Sequence, residues 1–268
     1  MELNKIYLGD AYELIKSLPD NSIDLVVIDP PYEYTTGGKN NYVSDRPYHK
    51  QYYGVAEYKT DSMTNRKVKS RNEIKHLSYG VNYSVLDDFL RVMRSINIYV
   101  FCSKHMIPTL LNYFIEKDCI FEIMFWGKTN PLPTANNTYL NDVEYLLYFR
   151  EKGVKVGGTY ETKSKFYISG TNITDKDEYD HPTIKPLKLV KNIIENSSQK
   201  GDVVLDTFMG SGTTAVACKE LGRNFIGFEI DPTYHQIAND RVNGMSQIDR
   251  RKKEKGMIDI WDFMGEES

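Results

Sequence analysis

Cysteine is scarce in this chain, with three in 268 residues, and Cys102, Cys119 and Cys218 lie far apart with neither a CxxC nor a Cys/His spacing. That excludes a disulfide framework and a structural zinc site, and buried free thiols are the simplest reading. No apolar run is long enough to span a bilayer, and the first residues, Met1 to Lys5, carry no hydrophobic leader core, so a cytoplasmic protein without a membrane partner is expected. A strong excess of charge of one sign is also missing. The formal net charge is −3, so any surface for a polyanion must come from local clusters of Lys and Arg. There is no internal repeat and no low-complexity tract, and with 40% hydrophobic and 26% charged residues the composition is that of a folded globular chain.

What is present is an alternation of helical and strand patterns. Residues 11–17 read as a helix, Pro19-Asp20-Asn21 as a turn, and 23–28, IDLVVI, as a strand buried on both faces of a parallel sheet. After a long polar segment the rhythm resumes: helix 85–94, strand 97–102, helix 107–116, then strands 121–126 and 144–149 around a Pro- and Asn-rich stretch. A polar segment, 153–180, precedes HPTIKP (His181 to Pro186) and a helix over 187–196. A βαβ unit follows: strand 203–205, the turn Gly210-Ser211-Gly212, helix 213–221 and strand 224–230.

That glycine turn lies between a strand and a helix, where a backbone without side chains can approach a ligand closely, and Glu229 ends the next strand about twenty residues on, where a carboxylate binds ribose hydroxyls. Alone, the unit suits NAD as well as another adenosine-containing cofactor, and a purely structural turn stays open. Asp29-Pro30-Pro31-Tyr32 at the end of the buried strand narrows the choice. An exocyclic amino group is a poor nucleophile because its lone pair is delocalised into the base. Two acceptors for its hydrogens would free that lone pair: the Asp29 carboxylate and the Pro30 carbonyl, held rigid by the prolines. Tyr32 offers a ring on which an extruded base could stack. In isolation, the same four residues could be no more than a stiff turn.

With DPPY at Asp29 to Tyr32, HPTIKP at His181 to Pro186 and DTFMGSGTT at Asp206 to Thr214, the sequence resembles the DNA amino-methyltransferases of the beta group, in which the catalytic motif precedes the cofactor motif. The resemblance covers most of the chain. It implies an α/β fold with a Rossmann-like, mostly parallel seven-stranded sheet, one antiparallel strand, helices on both faces and a circularly permuted motif order. One catalytic domain over 1–243 is expected; the segments at about 33–82 and 153–180 depart from the family pattern and are candidate target-recognition insertions, and the charge pattern of 244–268, with its basic run Arg250 to Lys255, reads as a surface tail. S-adenosylmethionine is the implied cofactor: Asp206, Phe208, Gly210, Gly212 and Thr213 around its methionine part, His181, Thr183 and Lys185 completing that pocket, Glu229 on the ribose, Asp10 and Ala11 at the adenine, and Asp29 of the catalytic motif also beside the cofactor.

The implied partner is double-stranded DNA, and the resemblance admits a homodimer and a cognate restriction endonuclease. The segment after Tyr32 contains Tyr42, Tyr48, Tyr52, Tyr53 and Tyr58, and Arg66, Lys67, Lys69 and Arg71 are its candidate phosphate contacts, with a solvated loop as the alternative. An initial Asp in the catalytic motif is typical of adenine N6 enzymes in this family, whereas cytosine N4 enzymes more often carry Ser. Site-specific N6 methylation of a flipped adenine is therefore expected. Cytosine N4 methylation and a catalytically silent nucleic-acid-binding module are the alternatives, and an NAD oxidoreductase would leave DPPY without a role.

Overall fold

The computed structural model describes residues 1–32, 80–131, 139–170 and 184–245. Its centre is an eight-stranded sheet in the spatial order β1-β8-β7-β2-β3-β5-β4-β6. The strands are β1 (Lys5–Leu8), β2 (Leu25–Ile28), β3 (Asn97–Cys102), β4 (Ile120–Lys128), β5 (Val143–Arg150), β6 (Phe166–Ser169), β7 (Val203–Asp206) and β8 (Asn224–Glu229). All neighbours pair in parallel except β5, which runs antiparallel to both β3 and β4. The mostly parallel sheet with one antiparallel strand is thus as expected, with one strand more. The additional strand, β6, lies within the polar stretch 153–180 and pairs Phe166 to Ser169 with Phe125 to Lys128 along the edge of β4.

Among the described residues six α-helices cover the sheet: α1 (Ala11–Leu14), α2 (Val85–Val92), α3 (Ile107–Ile115), α4 (Leu187–Ser197), α5 (Thr213–Leu221) and α6 (Pro232–Val242). Alternation along each central strand sends side chains to two separate cores. Val26 and Ile28 of β2, with Ile98, Val100 and Cys102 of β3, pack with Phe89 of α2 and Phe114 of α3. Leu25, Val27, Tyr99 and Phe101 face the other way, toward Ile193 of α4, Ala217 of α5 and Ala238 of α6. Strands buried on both faces explain the unbroken apolar runs at 25–28 and 203–205. Local chemistry sets the ends of the helices. Asp10 caps α1 by accepting from Tyr12 N, Asp231 caps α6 ahead of Pro232, and left-handed Gly222 closes α5. Among the described residues no helix is long and apolar enough to cross a membrane.

The topology places a crevice. From β2 the chain crosses over α2 to β3 on one side, and from β7 it crosses over α5 to β8 on the other. The carboxyl ends of the adjacent strands β2 and β7 therefore border a switch point, where open α/β sheets bind ligands. The opposite, amino edge is tied by a buried polar cluster. Asn97 Nδ2 donates to the carbonyls of Asp24 and Ser197 (2.9 Å each), and Asn97 Oδ1 accepts from the Tyr148 hydroxyl at 3.0 Å. The Tyr99 and Ser197 hydroxyls are 2.8 Å apart, and the Tyr99 and Tyr148 rings stack at 4.1 Å. Asn97→Ala would leave several of these buried groups unpaired, so a loss of about 2–4 kcal/mol is expected in urea unfolding, with the denaturant slope unchanged.

Candidate functional site

Asp29 follows the last residue of β2 and Asp206 is the last residue of β7, and the register Val26 opposite Leu205 brings the two motifs side by side. The crevice between them is lined by Asp29, Phe101, Lys185, Asp206, Phe208 and the glycine turn. A larger groove of about 220 Å³ lies elsewhere, over β6 and α4, and holds none of the motif residues. Chemistry rather than volume locates the site.

The glycine turn depends on its lack of side chains. Gly212 has φ +83°, and a Cβ there would stand 3.0 Å from Cα of Ala238 in α6. Gly210 N–H donates to Glu229 Oε2 at 2.7 Å, and the buried Arg241 guanidinium braces the turn from α6, donating to Thr213 Oγ1 at 2.8 Å and Ser211 Oγ at 3.2 Å. Asp206 accepts from Phe208 N–H at 3.0 Å, and burial pushes its carboxyl up to about 7 against the pull of hydrogen bonds from Thr214 and Phe208.

Pairing of β1 with β8 sets Leu8 opposite Glu229, and Gly9 N–H donates to the Glu229 carbonyl at 2.8 Å. This carries Asp10 and Ala11 beside Glu229 at the carboxyl edge. The Glu229 carboxylate accepts backbone N–H groups from Gly210 at Oε2 and from Asp231 at Oε1. Burial raises this carboxyl, opposed by those same N–H groups. Tyr12 meets Phe208 edge to face at 6.3 Å, closing the gap between α1 and the glycine turn.

On the other side of Asp206, four charged groups meet. Lys185 Nζ lies 2.5 Å from Asp29 Oδ2 and 2.7 Å from Glu144 Oε1, and Lys128 Nζ lies 2.9 Å from Glu144 Oε2. The Tyr32 hydroxyl donates to Glu144 Oε1 at 2.7 Å, and the Lys185 ammonium sits 5.4 Å from the Tyr32 ring centre. The side chains of Lys185 and Glu144 are 8% and 11% exposed, whereas Asp29 remains 27% open. Burial and Glu144 raise the Asp29 carboxyl although Lys185 opposes them. Burial would raise Glu144 as well, but Lys185 and Lys128 together hold it at about 2. The Lys185 ammonium is desolvated, yet its two carboxylates keep it firmly protonated. The result is two carboxylates of opposite tendency sharing one ammonium.

Of the residues singled out by sequence, Asp10, Ala11, Asp29, Pro30, Pro31, Tyr32, Lys185, Asp206, Phe208, Gly210, Gly212, Thr213 and Glu229 all lie along this one edge. Lys185 reaches the Asp29 carboxylate itself, and it is a buried charge rather than a surface one. His181, Thr183, the cluster Arg66, Lys67, Lys69 and Arg71, and the tail from 246 onward lie outside the described residues. Sequence reasoning missed Glu144, Lys128 and Arg241. The available signal was a Glu opening the otherwise apolar strand VEYLLYF, which is poorly suited to burial without a partner.

A family model described as DNA methylase matches residues 23–240. The chain is 26% identical to the Type II methyltransferase M2.MboI of Moraxella bovis, over 91% of this chain and 89% of that protein. It is 29% identical to the Type II methyltransferase M.HinfI of Haemophilus influenzae, over 90% and 68%. Among solved structures, that of the M1.HpyAVI-SAM complex superposes with a TM-score of 0.60 at 24% identity, covering 89% of this chain and 98% of that one. The cytosine-N4-specific PvuII DNA methyltransferase superposes at 0.64 with 18% identity, over 88% and 85%.

The raised Asp206 carboxyl has a measurable cost. The folded chain binds that proton more tightly than the unfolded chain, so stability is lost as pH rises from the ordinary aspartate range to about 7. Asp206→Asn is therefore expected to melt on the order of 5 °C higher than the parent at pH 8, with the gain vanishing near pH 4, as read by thermal melts.

Proposed function

The chain belongs to the DNA methylase family of the N6 and N4 type, and from that premise we propose that it transfers a methyl group from S-adenosylmethionine to the N6 amino group of an adenine flipped out of duplex DNA. The observation that carries this reading is the meeting of the Asp29-Pro30-Pro31-Tyr32 turn with the glycine turn at one switch point of the sheet. The residues present suit the cofactor chemically. Asp206, Glu229 and Asp10 supply carboxylates for a cationic ligand that carries hydroxyls, and Gly212 leaves the turn without a side chain where it folds over α6. When bound, S-adenosylmethionine supplies a methyl group on a positively charged sulfur.

The chain's own residues do the rest. Asp29 and the Pro30 carbonyl accept the two hydrogens of the target amino group and draw its nitrogen toward a geometry with an available lone pair. Pro30 is buried and Pro31 half-buried, so this pair of acceptors is held in place before the base arrives. Tyr32, its hydroxyl tied to Glu144, offers its ring to the extruded base. The nitrogen must shed a proton once methylated, and in this reading the Asp29 carboxylate, already accepting its hydrogen bond, takes it. Asp29 at the head of the motif, where cytosine N4 members more often have Ser, favours adenine. In this reading Arg66, Lys67, Lys69 and Arg71 neutralise DNA phosphates, a restriction endonuclease is the natural companion activity, and a homodimer is one form of the enzyme.

Incubation with unmethylated DNA and S-adenosylmethionine, followed by nucleoside mass spectrometry, is expected to yield N6-methyladenine. N4-methylcytosine would overturn the assignment of the base, and the absence of both would overturn the reaction. Asp29→Ala is expected to lower methyl transfer by at least about 100-fold while cofactor binding, followed by calorimetry, stays within about 2-fold of the parent.

A further inference from the structure

Glu144 has no catalytic task in the reading above, yet it touches three of the groups around Asp29. Its Oε1 accepts from both Lys185 and Tyr32, each at 2.7 Å, and its Oε2 accepts from Lys128 at 2.9 Å. We propose that Glu144 is a positioning residue for methyl transfer: it shares the Lys185 ammonium with Asp29, so that Asp29 keeps an acceptor for the target amino group, and it fixes the Tyr32 ring against which the base stacks. This rests on the amino-methyltransferase reading.

Geometry supplies the argument. An ammonium 2.5 Å from Asp29 Oδ2 occupies the kind of position that an amino-group donor must take. Were Asp29 its only counter-charge, the ammonium would compete with the substrate for that carboxylate. Glu144, at 2.7 Å and more deeply buried, divides its hold. Lys128 completes the set, so two cations and two anions balance and Glu144 stays ionised while Asp29 titrates. Among the described residues, the titratable groups facing Asp29 are Lys185 ahead of α4, Glu144 on β5 backed by Lys128 on β4, Tyr32 in its own turn, Asp206 on β7 and Cys102 on β3. Of these, Glu144 and Lys128 can be altered without touching the acceptor itself or the glycine turn.

The test is the pH dependence of single-turnover methyl transfer to unmethylated DNA by the whole chain, in the parent and two variants. Removing the negative charge with Glu144→Gln lets Lys185 settle on Asp29, so the rate is expected to fall by about 10- to 100-fold and the acid limb to move to lower pH. Removing the outer cation with Lys128→Met leaves Glu144 and Asp29 with one ammonium between them, and the limb is expected to move to higher pH. Cofactor affinity should stay within about 2-fold in both. Opposite shifts of the limb support the proposal. A Glu144→Gln enzyme with the parent's rate, or one slowed equally at every pH, overturns it by reducing Glu144 to a structural ion-pair partner. If Glu144→Gln does not fold, the Lys128→Met limb decides: a shift upward supports the proposal and an unmoved limb overturns it. A parent enzyme that methylates nothing would instead defeat the reading on which the proposal rests.

Discussion

Hydrogen bonding between β2 and β7 is the constraint on which the site depends. Leu25 and Val26 pair in parallel with Val204 and Leu205, so two segments from opposite ends of the chain finish at the same height. One then turns into the proline pair after Asp29, the other into the glycine turn after Asp206. Neither turn makes a site alone, because one supplies acceptors and the other supplies backbone that a ligand can approach. The helices that follow lead to opposite sides of the sheet, which leaves the space above the two strand ends open for a ligand.

Desolvation at that edge works against the carboxylates of Asp29, Glu144, Asp206 and Glu229. Asp29, Asp206 and Glu229 are all raised by burial, and only Glu144, between two lysines, is pulled down. Buried charges of this kind seldom stabilise a fold in net terms, since attraction within the pair must first offset the loss of water around each ion. Their concentration at one edge, while the amino edge is held by the neutral Asn97, Tyr99, Tyr148 and Ser197 cluster, is the pattern that a functional site produces. Arg241 is the counterpart beneath the glycine turn, a buried cation whose donors go to Ser211 and Thr213.

The antiparallel strand β5 completes the arrangement. Its neighbours end at the carboxyl edge, whereas β5 begins there, so its second residue, Glu144, stands opposite Trp126 near the end of β4 and within reach of Lys128. A strand in the usual direction would have placed that residue at the far edge. Reversal of one strand thus brings an anion to a site otherwise assembled from parallel strand ends.

Local pattern sufficed wherever burial was two-sided or a turn demanded one residue type. The continuous apolar runs of β2, β3 and β7, the helices α2 to α5, the DPPY turn and the glycine turn can all be read along the chain, because each is dictated by neighbours a few residues away. The edge strands β1 and β6 escaped that reading. They are short and half-exposed, and a strand with one paired edge shows no apolar run. The quartet of Asp29, Lys185, Glu144 and Lys128 was beyond it too, because what joins those side chains is the direction of β5 and the register of β4, neither of which leaves a trace in local sequence. Sequence by itself determined the two turns, their residue types and the strands that carry them. Tertiary structure decided which charges face one another across the crevice, because the energy of a buried ion depends on its partners in space rather than along the chain.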